Sequence, residues 1–199
     1  PEGGAAQLGG PGDRRVLEES LAWADACLIG AGTLRAHQCT CLIRDAHLMA
    51  QRRGEGRPSQ PIAVVVSKNS SFPTDWRFFQ QPLQRWLLAP AAAEQGFHCW
   101  LPLGDCWRER MACLAAFGVQ RLVLLGGAQL TADLLQADAV DEMQLTLVPK
   151  LLGGEKSWVP SGCGSLPEDL ACHRAWLLQE IRPLGGNELM LRYQRQRGR

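Results

Sequence analysis

Leu122-Val-Leu-Leu-Gly126-Gly127-Ala-Gln-Leu-Thr131 sets a short apolar run against two glycines and then, at once, a helix-like pattern. That is the build of a strand feeding the start of a helix. Backbone N–H groups at such a start point outward, and glycine removes the Cβ that would keep a phosphate at a distance. A second junction of the same kind lies upstream, at Cys27-Leu-Ile-Gly30-Ala-Gly32-Thr33, where Thr33 adds a hydroxyl donor. A glycine pair can also simply turn a tight corner. Two of them at the carboxyl ends of parallel strands point to an α/β protein that cradles a phosphorylated cofactor, because ligands of open α/β sheets gather there. The spacing is not the Gly-x-Gly-x-x-Gly dinucleotide fingerprint, and no acidic residue some twenty positions on completes it.

Outward from these junctions, strand and helix signals alternate. Pro11-Gly-Asp13 opens a helix to about Asp25, with Leu21 and Ala24 on its apolar stripe. Ala26 to Ile29 reads as a strand, Thr33 starts a brief helix, and Asp45 to Arg53 forms another. Ile62-Ala-Val-Val-Val-Ser67 is β-branched and continuous, as a strand covered on both faces would be. Arg85–Ala89 and Phe97–Leu101 are further strands. Trp107–Phe117 is a helix closed by Gly118, Arg121–Leu125 a strand, and Leu130–Ala137 a helix. Glu142–Val148 alternates, with Met143, Leu145 and Leu147 on one side and Gln144 and Thr146 on the other. Residues 175–182 and 187–194 make a hairpin turned at Leu184-Gly-Gly-Asn187. The pattern predicts one domain over residues 1–199: a mostly parallel sheet, helices on both faces, and an antiparallel C-terminal edge.

Composition narrows the function classes. The 199 residues are 46% apolar and 21% charged, the balance of an ordinary globular chain. A net charge of +1 provides no field for nucleic acid, and the basic stretches Gln51–Arg57 and Arg192–Arg199 read as a solvated loop and a chain end. No apolar run approaches the roughly 18 residues of a membrane-spanning helix, and Pro1–Ala6 lacks the pattern of a signal peptide. The eight cysteines, Cys163 among them, include no Cys-x-x-Cys, so a reduced cytoplasmic protein without a metal is expected. His37, Cys39, Cys41 and His47 are metal-ligand types whose spacing matches no structural zinc pattern. Ser67-Lys68, at the end of the central strand, could hold a nucleotide phosphate such as the 2′-phosphate of NADP, or be a turn entry with an exposed lysine.

Five blocks in order carry a resemblance: Asp25–Ala36, Pro61–Ser67, Leu122–Leu135, Val140–Pro149 with Leu151-Leu-Gly-Gly154, and Gly186–Tyr193. Together they resemble the reductase domain of riboflavin biosynthesis, the C-terminal domain of RibD. The resemblance implies a dihydrofolate-reductase-like fold of three layers, α/β/α. It implies NADPH-dependent reduction of the ribosyl group of 5-amino-6-(5-phosphoribosylamino)uracil to the ribityl form, by a homodimer. Carried onto this chain, Gly30, Gly32, Thr33, Ser67, Gly126, Gly127, Ala128 and Gln129 face the cofactor, with Ala31, Lys68 and Leu130 beside them. Arg35 and Arg44 become candidates for the substrate phosphate, and no catalytic residue is named.

The His-x-Glu and Pro-Cys-x-x-Cys signature of the deaminase that often precedes this domain is not found. The sequence also departs from the family pattern. It begins after the family's first strand, Leu21 stands for an arginine, His37-Gln38-Cys39 for Asp-Asp-Pro, and Leu125 for the glutamate before the glycine pair. A reductase of the same fold with another substrate, and a non-catalytic nucleotide-binding relative, are the alternatives those departures leave open.

Overall fold

The computed structural model describes residues 8–93, 95–151 and 166–197. The expected block at Leu152-Gly153-Gly154, Cys163, Pro1–Gln7 and the last two residues lie outside them. In chain order the elements are α1 (Pro11–Trp23), β1 (Ala26–Gly30), α2 (Ala31–His37), α3 (Ala46–Gly54), β2 (Ile62–Val66), α4 (Arg77–Gln80), β3 (Arg85–Ala89) and β4 (Cys99–Pro102). There follow α5 (Trp107–Ala116), β5 (Leu122–Leu124), α6 (Ala128–Gln136), β6 (Glu142–Leu147), β7 (Trp176–Gly185) and β8 (Glu188–Arg195). They divide into two compact units, Glu18–Thr131 and Pro1–Leu17 with Ala132–Arg199. No helix among the described residues is long and apolar enough to cross a membrane.

The first unit holds a five-stranded parallel sheet in the order β4-β3-β2-β1-β5. Its central strands β1, β2 and β3 are continuous apolar runs because both faces are covered there: Ala63, Val64 and Val65 are successive and all buried, as are Leu87 and Leu88 beside them. Asp45 caps α3, its carboxylate accepting from the N–H groups of His47 (2.7 Å) and Leu48 (3.1 Å). Gly118, at φ +86°, ends α5 in the left-handed region, where a Cβ would be strained. Arg52 is buried and donates to the carbonyls of Leu21, Ala22 and Ala24, the orphan acceptors at the end of α1, and to that of Pro58. Burial draws its guanidinium down to about 10, which leaves it charged at neutral pH.

The expected elements are present with modest shifts. β4 begins at Cys99 rather than Phe97, β5 is trimmed to Leu122–Leu124, and α6 starts at Ala128, directly after the glycine pair. α4 was not expected. It is one turn, too short to show a period, and it is fixed by tertiary contacts: Phe78 is fully buried and its N–H donates to the Gln38 carbonyl (2.8 Å).

The second unit holds the antiparallel strands, as a three-stranded sheet of their own in the order β6-β8-β7. Gly185 pairs with Glu188, so the hairpin turns on two residues, Gly186 and Asn187, at φ +58° and +63°. Positive φ at both is the primed turn that matches strand twist. Register puts Met143, Tyr193 and Leu178 in one cross-strand row, Leu145, Leu191 and Ile181 in the next, and Leu147, Leu189 and Pro183 in a third. These nine share one face and none is buried. The opposite face carries Gln144, Thr146, Met190 and the ion pairs of Glu180 with Arg192 (2.8 Å) and Arg182 (3.5 Å), and there Met190 is fully buried.

Candidate functional site

β1 and β5 are adjacent and parallel, with Ala26 level with Leu122 and Leu28 level with Leu124. From β1 the chain steps through β2, β3 and β4 on one side, then returns to place β5 on the other. The strand order reverses at that boundary, and there an open α/β sheet leaves a crevice at its carboxyl ends. Both glycine junctions stand at this edge. The Gly30 N–H donates to the Gly126 carbonyl (3.2 Å), and the Leu125 N–H to that of Leu28 (3.0 Å). Gly126 lies at φ +92° and its peptide bond to Gly127 is cis. A Cβ on Gly127 would sit 2.7 Å from the Thr33 hydroxyl, so the two turns meet across a space that only glycine leaves open.

Around that space is a cleft of about 350 Å³. Gly30, Gly32 and Thr33 line it from the first junction, and Gly127, Ala128, Gln129 and Leu130 from the second. The structure thus brings together seven of the residues expected to face a cofactor. Ala31 is buried at the start of α2, and Gly126 backs the wall through its bond to Gly30. Ala36 and His37 complete the lining and were not anticipated as site residues. Their signal was the helical period from Gly32 and Thr33, which carries the next turn of α2 to the same side. His37 is the one ionisable side chain in that lining.

Ser67 and Lys68 stand one strand over, since Gly30 is level with Val66. Ser67 is buried and its hydroxyl accepts from the Asn69 N–H (3.2 Å), while Lys68 is exposed. Arg35 reaches this same strand end from α2. It donates to the Asn69 carboxamide oxygen (3.1 Å), and its guanidinium lies 5.4 Å from the centre of the Phe72 ring. Two cations, Arg35 and Lys68, therefore flank the end of β2. Arg44 is elsewhere, exposed before α3, with its backbone N–H and that of Asp45 held by the Glu18 carboxylate (2.7 and 2.9 Å).

The positions that depart from the family pattern have local explanations. Leu21 is fully buried, a place where a lone cation would be costly. Gln38 caps α2 in the left-handed region, its N–H donating to the Leu34 carbonyl (2.7 Å). Leu125 is half-buried between β5 and the glycine pair. Cys27 lies inside β1, where burial above all pushes its thiol up to about 12, so it acts as a small core residue. Among the described residues no three of His, Cys, Asp and Glu stand close enough to hold a metal ion. The seven described cysteines are free thiols.

A second cleft, of about 490 Å³, belongs to the other unit. Gly9 to Gly12, Val148 to Lys150 and the hairpin turn line it. Glu188 fills the N-terminus of α1 there, accepting from the N–H of Gly10 (2.5 Å) and Asp13 (3.3 Å). The positive end of that helix is already answered by the chain's own carboxylate.

Known proteins place this geometry in a family. The chain is 26% identical over 161 residues to the 2,5-diamino-6-ribosylamino-4(3H)-pyrimidinone 5′-phosphate reductase of Archaeoglobus fulgidus, covering 76% of this chain and 73% of that one. It is 26% identical over 191 residues to the riboflavin biosynthesis protein RibD of Escherichia coli, covering 88% of this chain and 50% of RibD, so it spans about half of that relative. Its fold matches a pyrimidine reductase-like protein of Corynebacterium diphtheriae, with a TM-score of 0.77 at 19% identity over 100% of this chain and 86% of the other. The family model described as the RibD C-terminal domain matches residues 1–181, and the chain belongs to that family.

Proposed function

We propose that the chain is an NADPH-dependent reductase of riboflavin biosynthesis. It reduces the ribosyl group of 5-amino-6-(5-phosphoribosylamino)uracil to ribityl and works as a cytoplasmic homodimer. The observation that carries this reading is the meeting of Gly30 and Gly127 at the strand-order reversal. Backbone N–H groups and the Thr33 hydroxyl there suit a pyrophosphate, and the missing Cβ of Gly127 fits close approach. When bound, the cofactor supplies the hydride. Ser67, Lys68 and Arg35 support the choice of NADPH over NADH, because two cations and a hydroxyl at the end of β2 suit a further phosphate. In this reading Arg35 serves the cofactor rather than the substrate phosphate. The chain's task is otherwise positioning, holding the reduced carbon at near-contact distance from the hydride donor.

The test is loss of the NADPH near-ultraviolet band when the purified chain meets the pyrimidine. The 2,5-diamino compound that names the Archaeoglobus fulgidus relative is assayed in parallel. Turnover of either is expected, and absence of both with tight NADPH binding would sink the substrate assignment. Arg35→Gln with Lys68→Gln should raise KM for NADPH by roughly tenfold, about 1.4 kcal/mol, and leave KM for NADH unchanged.

A further inference from the structure

Between α2 and α3 the chain runs from Gln38 to Asp45 without regular secondary structure, yet its backbone is held as a strand is held in a sheet. The Gln81 carboxamide accepts from the Thr40 N–H (2.9 Å) and donates to the Thr40 carbonyl (2.8 Å). The Gln60 carboxamide engages Ile43 in the same way, at 2.9 and 2.7 Å. One oxygen of the Glu18 carboxylate accepts from the N–H groups of both Arg44 and Asp45, and the Gln38 carbonyl accepts from the Phe78 N–H. A carboxamide that engages both backbone groups of one residue does what a neighbouring strand would do. Glu18, Gln60 and Gln81 are only 6%, 7% and 8% exposed, so each would be costly there without these bonds. They come from three separate places: α1, the residue two before β2, and the residue after α4.

What this frame carries outward is Arg44. Its backbone is gripped, its side chain is exposed, and no hydrogen bond or ion pair among the described residues engages its guanidinium. Glu18 lies about one turn before the α1 carbonyls that Arg52 meets, and Arg44 lies just before the start of α3. The two helices therefore run the same way, toward the amino ends of the strands. Arg44 stands at the opposite end of α3, the one nearer the carboxyl side of the sheet, and its segment begins at His37 in the cleft lining.

We propose that Glu18 and Gln60 are positioning residues for the substrate. They fix the backbone of Ile43 and Arg44 in the free protein, so the Arg44 guanidinium is aimed at the substrate phosphate before the substrate arrives. The inference rests on the reduction of a phosphorylated pyrimidine proposed above, in which Arg35 goes to the cofactor and Arg44 is left for the substrate. An anion beside Arg44 works against a phosphate, so what Glu18 contributes is the pair of bonds to its one oxygen. Such preorganisation lowers the cost of ordering the site on binding.

Steady-state reduction by the full chain, of the phosphorylated pyrimidine and of the same compound lacking its phosphate, tests this. Glu18→Ala should raise KM for the phosphorylated form about tenfold, and leave KM for NADPH and for the dephosphorylated form within about twofold. Glu18→Gln keeps an oxygen for both N–H groups and should restore the wild-type KM. Arg44→Gln should raise the same KM, and adding Glu18→Ala to it should raise it no further. A rise shared by both forms of the pyrimidine, or additive with Arg44→Gln, overturns the assignment and leaves the reductase standing. Reduction of neither form by the wild type overturns the substrate reading and this assignment together. Should Glu18→Ala lose its fold, amide exchange of the wild type decides. The N–H groups of Thr40, Ile43, Arg44 and Asp45 should be protected without substrate, and protection gained only on adding it would refute the preorganised segment.

Discussion

The parallel sheet and the antiparallel sheet dispose of apolar side chains in opposite ways. In the first, consecutive residues such as Val64 and Val65 are both buried, and the chain itself supplies both covers. In the second, alternate residues are apolar, and that half is the one left open. A continuous apolar run therefore marks a core completed within the unit. A clean alternation marks a sheet with one apolar face, and here none of the nine side chains on that face is buried.

The largest effect that could break this contrast is in unfolding free energy. Leu28→Ala, in the middle of β1, should cost about 2–5 kcal/mol because it opens a cavity in a covered layer. Leu147→Ala, at a half-exposed position of β6, should cost less than about 0.5 kcal/mol. Comparable losses at the two sites by denaturant titration would erase the difference.

A smaller effect concerns the glycine turns that the parallel sheet carries. Gly127→Ala places a methyl against the Thr33 hydroxyl, and NADPH affinity should fall about tenfold by calorimetry, near 1.4 kcal/mol. Adding Thr33→Ala should recover stability but not affinity, since Thr33 is itself assigned to the cofactor. Recovery of both would mean that the turn only packs.

The smallest effect is on pH dependence. Burial acts to raise the Asp25 carboxyl, but the N–H groups of Arg121 and Gln120 and the Arg121 guanidinium outweigh it and hold it below its ordinary value. A carboxyl lowered in the folded state stabilises fully above its unfolded value of about 3.9, and that stabilisation is lost as pH falls through the lowered one. Asp25→Asn should therefore cost about 1 kcal/mol at neutral pH, with the gap from wild type narrowing below about pH 4 in acid titrations. A constant gap would show that geometry rather than charge matters.

Much of this was legible from residues alone. The Val-rich run of β2, the two glycine junctions and the Gly186-Asn187 turn all carry local chemistry that forces one backbone path. What could not be read belongs to long-range pairing. α4 exists because Phe78 finds a buried place, and Arg35 lies at the end of β2 because Asn69 and Phe72 receive it. The bulge in β7, on which the apolar face depends, is a property of register against β8 and leaves no mark in the run Trp176–Gly185. His37 looked like a departure from a family pattern, and only the path of α2 brings it to the cleft.

Asp25 has one more consequence, which is metrological. Its carboxylate, just ahead of β1, grips the two residues just ahead of β5, while its N–H and that of Ala26 both donate to the Arg121 carbonyl. This fixes the zero of both strands at one end, and equal strides of about 3.3 Å per residue then bring Gly30 and Gly126 level at the other. A slip of one step would separate the turns by that stride and reverse every side chain on β5. The alignment of the cofactor cleft is in this sense gauged from the far side of the sheet, by a residue that never touches it.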